Sequence, residues 1–251
     1  MSSPVFTRND KFSATGRPPS GLAGFPTGNL MTIENTLNKT IITFTVLLAA
    51  AGVGWFVPAL LWPGLLVGFV LGLVNAFKKE PSPALILIYA AAEGLFLGAL
   101  SGLMEQQYSG IVSQAVIGTL VVVGVVLFAF RAGILRESPK MTKIFIFAMV
   151  GYLAFSLINL GLSLTGVVDD PWGLRTSVTI PGTDIPLGIV LGLFAVVLAS
   201  YSLVMDFSFI QRGVNNRLPE RYGWTAAFGI AVTVVWLYVE ILRLLAILRG
   251  N

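Results

Sequence analysis

Three acidic residues stand inside long apolar runs: Glu93 in YAAAEGLFLGAL, Asp206 in YSLVMDFSFI and Glu240 in VTVVWLYVEILRLLAIL. A carboxylate so placed is expensive, and it points to an ion path, a proton relay or a paired structural role. Glu93 comes near the middle of its run and cannot reach an interface, so it must be protonated, paired or turned toward a wet cavity. Asp206 stands four residues before the end of its run and can nearly reach the interface. Glu240 is followed one turn later by Arg243, an i, i+3 pair able to neutralise itself. Histidine and cysteine are both absent. That excludes Ser-His-Asp triads, HExxH zinc sites, imidazole switches and all thiolate chemistry. Proton chemistry must therefore rest on carboxylates or lysine. No enzymatic site, cofactor or nucleic-acid partner is expected, and the identity of any bound metal stays open.

These acids need elements to hold them. The chain has 251 residues, 55% hydrophobic and 11% charged, whereas a soluble domain carries about 25% charged residues. Its main solvent is lipid. Seven apolar stretches meet the roughly 17–25 residues a spanning helix needs: Thr40–Val57, Leu60–Phe77, Ala84–Leu103, Ile111–Phe130, Ile144–Gly166, Leu187–Ile210 and Trp224–Leu248. The expected fold is all-α, a polytopic membrane domain over residues 40–251. Residues 1–39, rich in Ser, Gly and Pro at their start, are expected to form a disordered tail. The first apolar stretch begins too late for a signal peptide. Only DDPWGLRTSVTIPGTDIP, between the fifth and sixth spans, makes a sizeable loop, and no connection has room for a soluble catalytic domain.

Charge sets the expected orientation. Thirteen of the sixteen Lys and Arg residues fall in the tail or in the connections after spans 2, 4 and 6. The connections after spans 1, 3 and 5 hold Arg175 alone. The positive-inside rule then puts the N-terminus in the cytoplasm and, with seven spans, the C-terminus outside the plasma membrane. Glycines at i, i+4, i+8 (Gly64, Gly68, Gly72 in span 2; Gly94, Gly98, Gly102 in span 3) mark faces for close helix approach. In span 7, Gly229, Thr233, Trp236, Glu240 and Arg243 share one face. A polar stripe that long cannot face lipid, so span 7 is expected to be enclosed by the others.

At this point the chain resembles the Bax inhibitor-1/YccA membrane proteins, on the seven-span layout, YSLVMDF in span 6 and WLYVEILRLLAIL closing span 7. The tail MSSPVF and the RYGWTAAFG string look like the actinobacterial branch. The resemblance implies a central seventh helix wrapped by six others. It also implies either a pH-sensitive calcium leak or the modulation of a membrane-bound AAA protease. The family's pH sensor is a pair of aspartates, one in span 6 and one in span 7, sharing a proton. Asp206 matches the first. Aligning LYVE makes Glu240 the second, whereas aligning LRLLAIL puts Thr233 at that position and leaves Asp206 without its partner. A basic residue of span 2 pairs with the span 6 aspartate in some relatives, and Lys78 or Lys79 is the nearest counterpart.

Two classes of function follow. One is a cation or proton leak, with Ca²⁺ or H⁺ permeating and Asp206, Glu93, Glu240 and Thr233 lining the path. The other is a non-conducting interaction protein that binds a membrane protease or stress complex through glycine faces and basic connections. Because Arg243 is expected to snorkel near the outer surface and release Glu240, Glu93 is expected to matter more than Glu240.

Overall fold

The computed structural model describes residues 29–167 and 172–250. The described residues form eight α-helices: α1 (Ile33–Phe56), α2 (Leu61–Phe77), α3 (Pro83–Gln107), α4 (Ile111–Arg131), α5 (Pro139–Leu164), the one-turn α6 (Leu174–Ser177), α7 (Leu187–Asn215) and α8 (Tyr222–Gly250). All except α6 are long and apolar enough to cross a membrane, as expected of an all-α seven-span protein. A 3-10 turn, Pro58–Leu60, makes the tight hairpin between α1 and α2. The helices outrun the apolar stretches at several ends because polar residues continue them. α7, for instance, extends through Gln211 and Arg212 to Asn215.

The seventh span, α8, is the most enclosed. It packs against α7, α1, α4 and α3, and its buried residues lie on every face, from Ala227 and Ala231 to Leu237, Leu242 and Ile247. In the absence of a hydrophobic driving force between helices, contact depends on how closely backbones approach. The glycines provide that approach. On α3, a Cβ on Gly94 would run into the Leu47 carbonyl of α1, and one on Gly98 into the Ala51 carbonyl. On the opposite side, Gly64 of α2 leaves room for the α3 backbone at Ala92 and Phe96. α3 is thus held between α1 and α2. α5 is the loosest span. Its one buried residue is Tyr152, and with Phe145 and Met149 it packs on Ala195 and Leu198 of α7.

The expected tail is shorter than residues 1–39. Its greater part, residues 1–28, lies outside the described residues, but Asn29–Lys39 is ordered, and α1 begins at Ile33 rather than at Thr40. Two local causes account for this. Thr32 caps the helix by accepting from the Asn35 amide, while the Asn35 side chain accepts from the Thr32 amide, a reciprocal arrangement that satisfies two otherwise orphaned donors. The segment before it is also clamped onto the α7–α8 connection. The Met31 amide donates to the Leu218 carbonyl at 2.8 Å and the Glu220 amide to the Asn29 carbonyl at 2.8 Å. Met31 is buried against Gly213. Lys39, buried, donates to Glu220 at 2.8 Å. The hydrogen bond from Lys39, helped by Asn29 and the lysine charge, holds the Glu220 carboxyl below the usual glutamate range.

Two outcomes test this packing. Gly98→Ala forces a methyl into the Ala51 carbonyl and should cost about 1–3 kcal/mol, the range for overpacking. Gly124→Ala in α4 meets open space and should be neutral or gain up to about 1 kcal/mol from helix propensity. Thermal unfolding in detergent distinguishes them. A group whose folded value is depressed adds stability above its ordinary range and loses it on acidification. The stability difference between wild type and Glu220→Gln should therefore be full at neutral pH. It should shrink as the pH falls below about 4, under the ordinary glutamate value.

Candidate functional site on the central helix

The polar stripe of α8 meets three partners in succession. Nearest the arginine-rich end, Asp206 of α7 is half-buried against α8 and accepts from the Thr233 hydroxyl at 2.7 Å. Thr233 in turn lies 3.1 Å from the Ser202 hydroxyl, one turn back along α7. Gly229 makes the approach possible, since a Cβ there would stand 2.8 Å from the Asp206 carboxylate. Asp206 forms no ion pair among the described residues; its partner is a hydroxyl. In the middle, Trp236 packs on the Tyr152 ring of α5, with centroids 5.9 Å apart.

Toward the far end lies an ionic cluster. Glu240 is 2% exposed and Arg175 3%. One oxygen of Glu240 accepts from the Tyr152 hydroxyl and, at 2.7 Å, from Arg243. Tyr152 also accepts from Arg175 at 2.9 Å, and the Arg175 guanidinium lies over the Tyr152 and Phe155 rings. The second oxygen of Glu240 faces a second Arg175 nitrogen at 3.7 Å, an ion pair too long to be a hydrogen bond. Neither of those two atoms has a hydrogen-bond partner. One carboxylate thus stands between two guanidinium groups, leaving the cluster with one excess positive charge.

The long connection brings Arg175 there. Asn159 of α5 accepts from the Leu174 amide at 2.7 Å and donates to the Trp172 carbonyl at 3.3 Å, anchoring the start of α6. Gly188 of α7 admits the Arg175 backbone, which a Cβ at that position would meet at 2.8 Å. In the sequence Arg175 is a cation of the longest connection and Tyr152 one aromatic among many in an apolar span, so neither stands out as a site residue. The available signal was that Arg175 is the lone basic residue in the connections opposite thirteen others. Arg243 does pair with Glu240 at 2.7 Å, as their i, i+3 spacing suggests, but Glu240 is also shared with Tyr152 and Arg175.

The structure does not join the remaining predicted residues to these clusters. Glu93 is half-buried on α3, its carboxylate over Gly68 of α2. It has no hydrogen bond or ion pair among the described residues. The neighbouring turn carries Tyr89, whose ring meets Phe228 of α8 at 5.0 Å. Lys78 and Lys79 are not counter-charges to Asp206. Both are exposed where α2 ends at Phe77; their ammonium groups stay at the surface, and α2 packs on α3 instead of α7. Of the two registers, the geometry puts Thr233 opposite Asp206, with Glu240 two turns farther along. Among the described residues no three acids cluster closely enough to hold a metal ion.

Seven apolar spans, the last of them the most enclosed and carrying polar side chains inward, define a multi-pass integral membrane protein. The chain belongs to the family described as Bax inhibitor 1 like, whose sequence profile matches residues 3–250. No curated protein matches it.

The excess charge of the ionic cluster gives an ordered expectation. Glu240→Gln leaves two guanidinium groups facing each other and should cost about 3–5 kcal/mol, the range for an uncompensated buried charge. Arg175→Gln leaves Glu240 neutralised by Arg243 and should cost clearly less. Equal losses in denaturant unfolding would show that Arg243 does not compensate.

Proposed function

We propose that this protein is a non-enzymatic, pH-sensitive cation leak of the plasma membrane, with Ca²⁺ as the leading permeant ion and Asp206 as the sensing group. The N-terminus is cytoplasmic in this reading, because the basic connections share its end of the bundle. The observation that carries it is the Asp206–Thr233–Ser202 chain. An ionised carboxylate only accepts hydrogen bonds, and a protonated one can donate. Adding one proton at Asp206 therefore reverses the direction in which the two hydroxyls must point and removes a charge from the α7–α8 seam. Oxygen donors of this kind suit a hard cation such as Ca²⁺. The Arg175–Glu240–Arg243 cluster, with its excess positive charge, would hold the far end of the same seam closed to cations. Opening then requires α6 and α5 to yield there as well.

The family's proton-sharing pair is absent in this register, since Thr233 stands where a second carboxylate would. The pH response proposed here therefore comes from a single carboxylate and its hydroxyls, and it should follow a shallow, one-proton profile. A second reading, modulation of a membrane-bound AAA protease or stress complex, would rest on the basic connections alone. The glycine faces of α2 and α3 are occupied inside the bundle and leave no docking surface there.

The test is flux from purified protein in liposomes loaded with a calcium indicator, over a range of pH. Wild type should leak Ca²⁺ with a one-proton pH dependence, and Asp206→Asn should give a flat profile. No flux at any pH would overturn the leak, while an unchanged profile in Asp206→Asn would overturn the sensor.

A further inference from the structure

α1 and α4 both pack on α8 but make no extended contact with each other. The gap between them forms two cavities in line. The one at the arginine-rich end has a volume of about 840 Å³, and the one toward the far end about 520 Å³. Their floors are adjacent turns of α8, Ile230 in the first and Val234 in the second. Away from the charged end the walls are mainly apolar: Leu37 of α1 and Leu127 of α4 line the first cavity with Phe207 and Ile210 of α7, and Leu48 and Leu120 line the second. All four are exposed on the bundle surface, so the gap opens sideways toward the hydrocarbon.

One end of this groove is charged. Arg131 closes α4, Arg136 follows in the α4–α5 connection, and Arg212 comes from α7; all three line the first cavity together with Glu137. Glu137 is taken up by Arg212. Arg131 and Arg136 have no acidic partner among the described residues. Three guanidinium groups against one carboxylate leave two positive charges over an apolar slot.

We propose that this groove is a binding site for an anionic phospholipid, its phosphate held by Arg131 and Arg136 and an acyl chain lying between α1 and α4. The planar fork of arginine matches a phosphate diester by two parallel hydrogen bonds, and basic pockets between spans are suited to anionic head groups. A water-soluble anion would use the charges and leave the apolar walls unused. A zwitterionic lipid would fill the walls and bring its own cation to the arginines. Only a lipid with net negative charge satisfies both parts. The charged end borders the α7–α8 seam through Phe207 and Ile230, but lipid binding is read without flux, so it stands or falls separately from conduction.

The experiment is thermal unfolding of the purified full chain in detergent, titrated separately with phosphatidylglycerol, phosphatidylcholine and inorganic phosphate. Phosphatidylglycerol should raise the midpoint well above phosphatidylcholine, and phosphate should leave it unmoved. The double variant Arg131→Gln/Arg136→Gln should weaken the phosphatidylglycerol effect on the order of tenfold or more in apparent Kd, from the usual contribution of a basic residue near an anionic lipid. Lys140→Gln/Lys143→Gln removes the same charge from exposed positions outside the groove and should retain the effect. Three outcomes overturn the proposal: equal shifts with both lipids, a shift with phosphate alone, or equal losses in the two double variants, which would indicate general surface charge. Should the arginine variant fail to fold, Leu127→Trp, which fills the slot and leaves the charges, should abolish the lipid preference; its persistence would equally overturn the site.

Discussion

A polar group surrounded by hydrocarbon has no water to turn to, so its hydrogen bonds must come from the protein around it. The arrangement of this bundle follows from that constraint at α8. The helix carries Thr233, Trp236, Glu240 and Arg243 on one face, and α5, α6 and α7 are placed so that each meets a partner. The remaining faces of α8 are apolar and close-packed against α1, α3 and α4. α1, α3, α4 and α7 enclose α8, and Tyr152 of α5 and Arg175 of α6 reach its polar side, because it is the span that cannot face lipid there.

The two ends of the stripe are solved differently. At the arginine-rich end a single acid is met by hydroxyls, each of which can serve as donor or acceptor. At the far end an acid is held by two guanidinium groups and a phenol, a set that fixes both charge and geometry. Breaking such a buried ionic cluster leaves an uncompensated charge, whereas reversing a hydroxyl chain does not. The seam between α7 and α8 therefore has one adaptable end and one rigid end.

Much of this was legible in the chain. Apolar length gave seven spans, and the spacing of polar residues in the last of them placed it at the centre. The acids stood out because nothing but function or pairing explains a carboxylate in that company. What was not legible depends on how distant segments cross. Two alignments of span 7 were open as strings, the LRLLAIL register keeping the spacing between the two sites closer to the family's, and the crossing of α7 over α8 at Gly229 is what brings Thr233 to Asp206. Arg175 read as a loop residue because its burial requires Asn159 of one helix and Gly188 of another. The early start of α1 was hidden because Thr32, Asn35 and Lys39 are polar, and polarity in a sequence does not reveal a cap or a clamp. Lys78 and Lys79 were close to the right depth but on a helix that packs elsewhere.

The clamp at Asn29–Thr32 carries a consequence for biogenesis. Lys39 is buried at the start of the first span, yet its partner Glu220 lies 181 residues later in the chain. During synthesis α1 enters the membrane long before that glutamate exists. Until then its lysine must reach for water, and the Met31 amide has no Leu218 carbonyl to bond. The first helix can pack on α3 early, but its start is secured only when the sixth span and the connection after it have been made. Insertion thus runs from first helix to last, while final assembly closes in the reverse direction, and a chain truncated before residue 220 would be left with an unsecured first helix.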